Sequence, residues 1–238
     1  MTLTRLRALG AEFLGSALLA TVVVGSGIAA QQLSTDTGLQ LLENALVTAL
    51  GLAVLILVFQ PVSGAHFNPV VTVVDVLLGQ RPWHDLARYL PAQVAGCIAG
   101  TVLANAMFGM PAVSWSTTYR VSWPHLLGEV VATAGLILII FALVRTGRAA
   151  LAAPAVGAYI GAAYFFTSST SFANPAITIG RMFSDTFAGI APSSALPFVG
   201  AQLAGAILGW LVVRAFFPTP AQSASTARRG RSGASASS

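Results

Sequence analysis

The sequence predicts an all-α membrane protein with six transmembrane helices plus two re-entrant half-helices in an inverted repeat. Three observations predict it. Hydrophobic residues fill 55% of the 238 positions and charged residues only 8%, with mean hydropathy +0.79. A soluble domain carries about a quarter charged residues, so the surplus apolar surface faces lipid. Six apolar segments are long enough to cross a hydrocarbon core of about 30 Å. Finally, two short stretches look alike: Ser63-Gly64-Ala65-His66-Phe67-Asn68-Pro69-Val70 and Ser171-Phe172-Ala173-Asn174-Pro175-Ala176. Each leads a small polar run into Asn-Pro and then into an apolar, helix-compatible segment.

The first span covers residues 8–30. Arg5, Arg7, an apolar run and Gly27-Ile28-Ala29 resemble a cleavable signal peptide. The run is about 20 residues, longer than a signal core, and Glu12 interrupts its start, so it reads as a retained helix. Spans follow at 39–61, 85–108, 125–144, 150–168 and 196–217, with shorter apolar stretches at 68–78 and 174–184. Asn is a preferred N-cap, and Pro suits the first helical position because the N–H it lacks would be unpaired there. Each Asn-Pro therefore opens a short helix. At 1.5 Å per residue, about eleven residues reach about 16 Å, half a membrane. Two such helices entering from opposite sides and meeting tip to tip cover about 33 Å.

The halves repeat, at about 8–110 and 122–217 of a single transmembrane domain spanning 1–217. Gly10-Ala11-Glu12-Phe13 is echoed by Leu127-Gly128-Glu129-Val130, Ala92-Gln93-Val94-Ala95-Gly96 by Ala201-Gln202-Leu203-Ala204-Gly205, and Asn68-Pro69 by Asn174-Pro175. The offsets are 117, 109 and 106 residues, so order and spacing persist while loops vary. An odd number of spans per half inverts the second half relative to the first and places the special elements at the midplane. Gly96/Gly100, Gly157/Gly161 and Gly205/Gly209 are spaced for close helix packing.

All twelve basic residues are Arg, giving a net charge of +5. Arg5, Arg7, Arg81, Arg88, Arg145, Arg148, Arg214, Arg228, Arg229 and Arg231 fall on one side of the six-span layout, and Arg120 and Arg181 on the other. This bias predicts both termini in the cytoplasm and a multi-pass protein of the plasma (inner) membrane. The basic balance thus reports topology and membrane lipids as partners, not nucleic acid. Residues 218–238 are rich in Ser, Ala and Arg and read as a disordered cytoplasmic tail. The single cysteine, Cys97, excludes an intrachain disulfide. No repeated metal-ligand spacing, nucleophile–histidine pair or phosphate loop is present, so no enzyme, metal or cofactor is expected.

Irregular backbone at membrane depth must be buried in protein or line a water-filled cavity. The Gly- and Ser-containing runs before the two Asn residues suit a path whose solutes satisfy their carbonyls. Both half-helices point positive N-terminal ends at the centre, and Asn68 and Asn174 offer side-chain donors there. Such a path opposes cations and protons while neutral hydrogen-bonding molecules feel little barrier.

The duplicated boxes, the Ser-Gly-Ala-His run before the first, and the pairs Glu12/Glu129 and Gln93/Gln202 resemble the aquaporin/aquaglyceroporin (major intrinsic protein) family over about residues 8–217. The resemblance implies a pore in each subunit of a homotetramer. It also implies re-entrant loops held by Glu12 and Glu129, and a selectivity filter at Thr48, Ala162, Ser171 and Ile177. The first box is Asn68-Pro69-Val70 where the family mostly has Ala third, whereas the second is Asn174-Pro175-Ala176. Most relatives carry Arg where this chain has Ile177. Small residues at Thr48, Ala162 and Ser171 imply a wide, weakly charged constriction. It would admit glycerol, urea and metalloid hydroxides such as arsenous acid, together with water. The run Ile177 to Gly189 is also similar to bacterial aquaporins associated with arsenic handling. Arg181, one turn beyond Ile177, either replaces the missing arginine at the pore mouth or pairs with Asp185, and the pairing is the favoured expectation. His66 either gates the cytoplasmic mouth or bonds neighbouring backbone. Asp75 is expected to pair with Arg81 or Arg88. Alternatives to this channel are a water-selective aquaporin, a coupled transporter using Glu12 and Glu129, and a closed structural protein with Val70 and Ile177 blocking the path.

Overall fold

The computed structural model describes residues 3–218. The tail expected over 218–238, with Arg228, Arg229 and Arg231, lies outside the described residues apart from Pro218. Among the described residues eight α-helices run in order: α1 Leu3–Leu33, α2 Thr37–Ser63, α3 Pro69–Leu77, α4 Leu86–Met107, α5 Trp123–Arg145, α6 Ala152–Phe166, α7 Pro175–Gly180 and α8 Pro192–Phe216. Short 3₁₀ turns at Trp83–Asp85 and Ala149–Leu151 lead into α4 and α6, and a third at Arg181–Phe183 follows α7. Six helices, counting the turns joined to α4 and α6, are long and apolar enough to cross a membrane. The remaining two, α3 and α7, are the half-length elements.

The chain enters α1 and leaves α8 at one face, called here the near face; the opposite one is the far face. Each half has the same plan: long helix, long helix, half-helix, long helix. Within the first half α1 packs along α4, and α5 packs along α8 in the second. The helices related by the duplication, α2 and α6, pack on one another, and α3 meets α7. The small-residue pairs explain how closely the helices approach. A Cβ on Gly96 or Gly100 would run into the α1 backbone at Phe13 and Ala17. The corresponding additions on Gly205 and Gly209 meet the α5 carbonyls of Val130 and Ala134. Both halves therefore use the same contact, 117 residues apart along α1 and α5, which allows backbone-to-backbone packing without a hydrophobic driving force between helices.

The second half-helix is shorter than the 174–184 expected. Its α-helical part ends at Gly180, whose missing side chain lets it sit against the Cys97 backbone of α4. The chain then tightens into a 3₁₀ turn, a common way to end a helix. Conversely α1 extends to Leu33, and Gln31 at its far end accepts a hydrogen bond from the backbone N–H of Phe187 at 2.7 Å.

Candidate functional site

Each half-helix is preceded by a descent of irregular backbone from its own face to the centre. Ala65, Phe67, Ser171 and Ala173 take positive φ values of 52°, 50°, 52° and 47°. Left-handed backbone is unfavourable for residues with a Cβ and persists only where the surroundings over-determine it. Glu12 and Glu129, both fully buried, supply that constraint. Glu12 accepts from the backbone N–H of His66 (3.0 Å) and Phe67 (2.8 Å), from Ser63 Oγ (2.6 Å) and from Gln93 Nε2 (2.7 Å). Glu129 accepts from the N–H of Phe172 and Ala173, both 2.9 Å, and from Gln202 Nε2 (2.7 Å). Each glutamine also donates to a threonine one turn into the half-helix, Thr72 and Thr178. With the amides turned to the glutamates, the carbonyls of Ala65, His66, Ser171 and Phe172 accept no bond from other described residues. All four residues line one cavity.

The two tips meet. Asn68 caps α3 by accepting from the N–H of Val70 (3.1 Å), and Asn174 caps α7 by accepting from Ala176 (2.9 Å) and Ile177 (3.3 Å). Their Nδ2 groups cross over. Asn68 donates to the Ala173 carbonyl and Asn174 to the Phe67 carbonyl, each at 2.8 Å. The sequence places side-chain donors of both asparagines at the centre of the path. Here one N–H of each amide ties the loops together, and the second remains, since an amide NH₂ carries two. Both asparagines line the cavity. Pro69, Val70, Pro175 and Ala176 are buried behind them and do not.

The cavity, about 330 Å³, extends from Gln80 and Arg81 at the near face to Tyr164 and Arg181 toward the far face. Its walls are unlike. One carries the free carbonyls and the two asparagines; the other is aliphatic, with Leu19, Leu52, Ile56, Leu136 and Ile160. At the near mouth His66 Nδ1 lies 3.0 Å from Thr72 Oγ1 and its Nε2 lies 3.5 Å from Asp75 Oδ2. Of the two expected partners, Asp75 takes Arg81, whose Nε donates at 3.1 Å, while Arg88 turns to Asp85 at 3.6 Å. Arg81 also donates to Tyr89 (2.9 Å) and to the Ser63 carbonyl (2.9 Å), so this mouth is a closed polar network.

The far end departs from expectation in two ways. Ala162 is exposed on the outer surface of α6 and does not line the cavity. The cavity-facing positions of that helix are Ala152, Val156, Ile160 and Tyr164, at helical spacing, and the Tyr164 hydroxyl donates to Thr48 Oγ1 at 3.2 Å. The position that the resemblance implies on α6 therefore falls off the cavity face, with the irregular Thr167–Ala173 segment between it and Asn174. Thr48, Ser171 and Ile177 all line the cavity. The second departure is Arg181. It does not pair with Asp185, whose Oδ1 instead accepts from the N–H and hydroxyl of Thr117. Arg181 is only 3% exposed, donates through Nε to the Ala188 carbonyl, and lays its guanidinium over the Phe172 ring at 3.5 Å. It lines the cavity.

Sequence reading missed Tyr164, Ile160, Phe172 and Arg120. Arg120, in the loop before α5, donates to the carbonyls of Gly189 (2.7 Å) and Phe187 (2.9 Å) and lies 5.4 Å from the Phe172 ring centre. Burial pushes its guanidinium below the ordinary range, against the pull of Tyr164 and Glu129. Neither the inward face of α6, which is apolar around its circumference, nor the fold of the loop holding Arg120 leaves a local signal in the sequence.

A family model described as "Major intrinsic protein" matches residues 1–172. The chain belongs to this family. It is 47% identical over 204 residues to "Aquaglyceroporin AqpS" of Rhizobium meliloti (strain 1021), covering 86% of this chain and 87% of that protein. It is 34% identical over 178 residues to "Aquaporin NIP1-3" of Oryza sativa subsp. japonica, covering 71% and 61% of the two chains. The aquaglyceroporin of Plasmodium falciparum superposes with a TM-score of 0.71 at 19% identity, over 87% of this chain and 95% of that one, which shows the shared fold. As a major intrinsic protein the chain is a multi-pass membrane protein and a passive channel for small solutes, not an enzyme. Its departures from the family pattern, Val70 and Ile177, differ in consequence. Val70 is fully buried off the path, whereas Ile177 faces it.

Proposed function

We propose that this channel conducts neutral, hydrogen-bonding solutes larger than water, with glycerol, urea and undissociated metalloid hydroxides such as arsenous acid as its class, and that it also passes water. The observation that carries the reading is the two-sided wall: a file of unbonded carbonyls with asparagine donors at the centre, facing an aliphatic surface. A polyol presents hydroxyls along one edge and carbon along the other, so it replaces its hydration on one side and loses little on the other. The small Thr48 and Ser171 side chains favour solutes wider than water, with Tyr164, bonded to Thr48, and Ile177 completing the lining. The name of the Rhizobium relative agrees with this class.

The proposal extends to setting. One channel domain fills residues 1–217 of the plasma (inner) membrane with both termini in the cytoplasm, as the arginine bias favours. The channel assembles as a homotetramer in lipid. The apolar outer face of α2, with Leu46, Leu50, Val54 and Leu57 exposed, supports burial against lipid or another copy.

Reconstituted vesicles assayed in parallel for water, glycerol, urea and arsenous acid test the reading. Linear, non-saturating glycerol and urea uptake, insensitive to a proton gradient, is the expected result. Fast water shrinkage without glycerol entry would instead make the protein a water-selective aquaporin. Saturable, gradient-dependent uptake would make it a transporter, and no flux at all a closed structural protein.

A further inference from the structure

The repeat that relates the two asparagines relates more than the boxes. At the same offset of 106 residues, His66 corresponds to Phe172 and Asp75 to Arg181. Each mouth is thus built from a ring two residues before its asparagine and a charged side chain seven residues after it. Asp75 lies 3.5 Å from His66 and Arg181 stacks 3.5 Å from the Phe172 centroid. All four residues line the cavity. The near-mouth charge is balanced by Arg81. For the far-mouth charge no carboxylate lies within ion-pair distance among the described residues.

What holds Arg181 also orients it. Its Nε is spent on Ala188, and the flanking carbonyls of Phe187 and Gly189 are taken by Arg120. Phe172 covers one face of the guanidinium, leaving the two Nη groups without protein acceptors among the described residues. An arginine presents up to four further N–H donors on those nitrogens in a fixed fork. Ile177, one helical turn deeper toward the centre, has no polar atom to offer.

Resting on the channel reading above, we propose that Arg181 is the specificity-determining charge of the far constriction. From the seventh position after Asn174, it donates hydrogen bonds to solute oxygens in transit and excludes cations, while Ile177 beside it serves only as an apolar wall. The solutes favoured are therefore neutral molecules with acceptor oxygens, and cationic amines of similar size are turned away.

Proteoliposomes loaded separately with wild type, Arg181→Gln and Arg181→Lys are assayed for glycerol, urea and methylammonium uptake. The ratio of methylammonium to glycerol entry is expected to rise about tenfold or more in Arg181→Gln, because a fixed cation in a narrow pore is the barrier to other cations. Arg181→Lys is expected to keep the low ratio while changing the ranking of glycerol against urea, since the fork is lost but the charge is not. An unchanged methylammonium-to-glycerol ratio in Arg181→Gln overturns the proposal. If Arg181→Gln does not assemble, Arg181→Lys decides: a low ratio with an altered ranking supports the role, and an unaltered ranking or a raised ratio overturns it. Wild-type vesicles without glycerol flux would overturn the channel reading itself, a different result from normal wild-type flux with indifferent variants.

Discussion

Glu12 accepts from four donors and Glu129 from three; apart from the two glutamine amides, which also reach Thr72 and Thr178, these donors have no other acceptor among the described residues. An unsatisfied buried donor costs about 1–3 kcal/mol, so removing either carboxylate should destabilise its loop by several such terms. Glu12→Ala and Glu129→Ala are therefore expected to lower the apparent melting temperature in detergent and to lose solute flux. The corresponding Gln variants, which keep one acceptor oxygen, should fall between. A proton-relay role would give the opposite pattern, with Gln variants of full stability that lose only proton-dependent transport. At this scale Glu12 and Glu129 were legible in the sequence, because each stands alone in an apolar segment and recurs at the same place in the repeat. It did not show that one N–H of each Asn amide would be spent on the opposite loop. That bond spans 105 to 107 residues of chain.

Among the elements, α4 on α1 and α8 on α5 make the most extensive contacts, and they depend on bare backbone. Gly100→Val and Gly209→Val would each drive a side chain into a carbonyl, of Ala17 and Ala134 respectively. Overpacking costs about 1–3 kcal/mol where neighbours can shift, and backbone in a packed helix shifts least. Both variants are expected to cut the yield of membrane-inserted, detergent-stable protein sharply. Gly200→Ala, on α8 where an added Cβ meets nothing, should leave yield and melting temperature unchanged. Size-exclusion profiles of the three variants in detergent check this. The half-helices were legible for a different reason. An Asn-Pro start is a local signal, and the observed caps sit at the predicted residues. The inward face of α6 was not legible, since the helix is apolar around its circumference and periodicity cannot rank its faces.

For the whole molecule, orientation is the property to test. Among the described residues, Arg5, Arg7, Arg81, Arg88, Arg145, Arg148 and Arg214 lie toward the near face, and Arg120 and Arg181 on the far side. If the near face is cytoplasmic, His84→Cys should react with a membrane-impermeant thiol reagent only in inside-out vesicles, and Trp115→Cys only in intact cells or spheroplasts. Half or more of each wild-type side chain is exposed, and the native Cys97 is buried and should stay silent. Labelling with the sides exchanged would reverse the topology and place Arg181 at the inner mouth. The duplication makes either insertion geometrically equivalent for the half-helices, so the charge bias alone sets which mouth carries Arg181 outward.

By itself the sequence determined the number and order of helices, the capped starts of α3 and α7, the inverted repeat and the two buried glutamates. These rest on segment length, cap chemistry and self-similarity, which neighbouring residues carry without help from distant ones. Only the tertiary structure decided that Ile160 and Tyr164 replace Ala162 on the path, and that Arg181 leaves Asp185 to lie over Phe172. In both cases the outcome rests on partners the chain brings up from other segments: Thr48 for Tyr164, Thr117 for Asp185 and Ala188 for Arg181. No local pattern encodes those meetings.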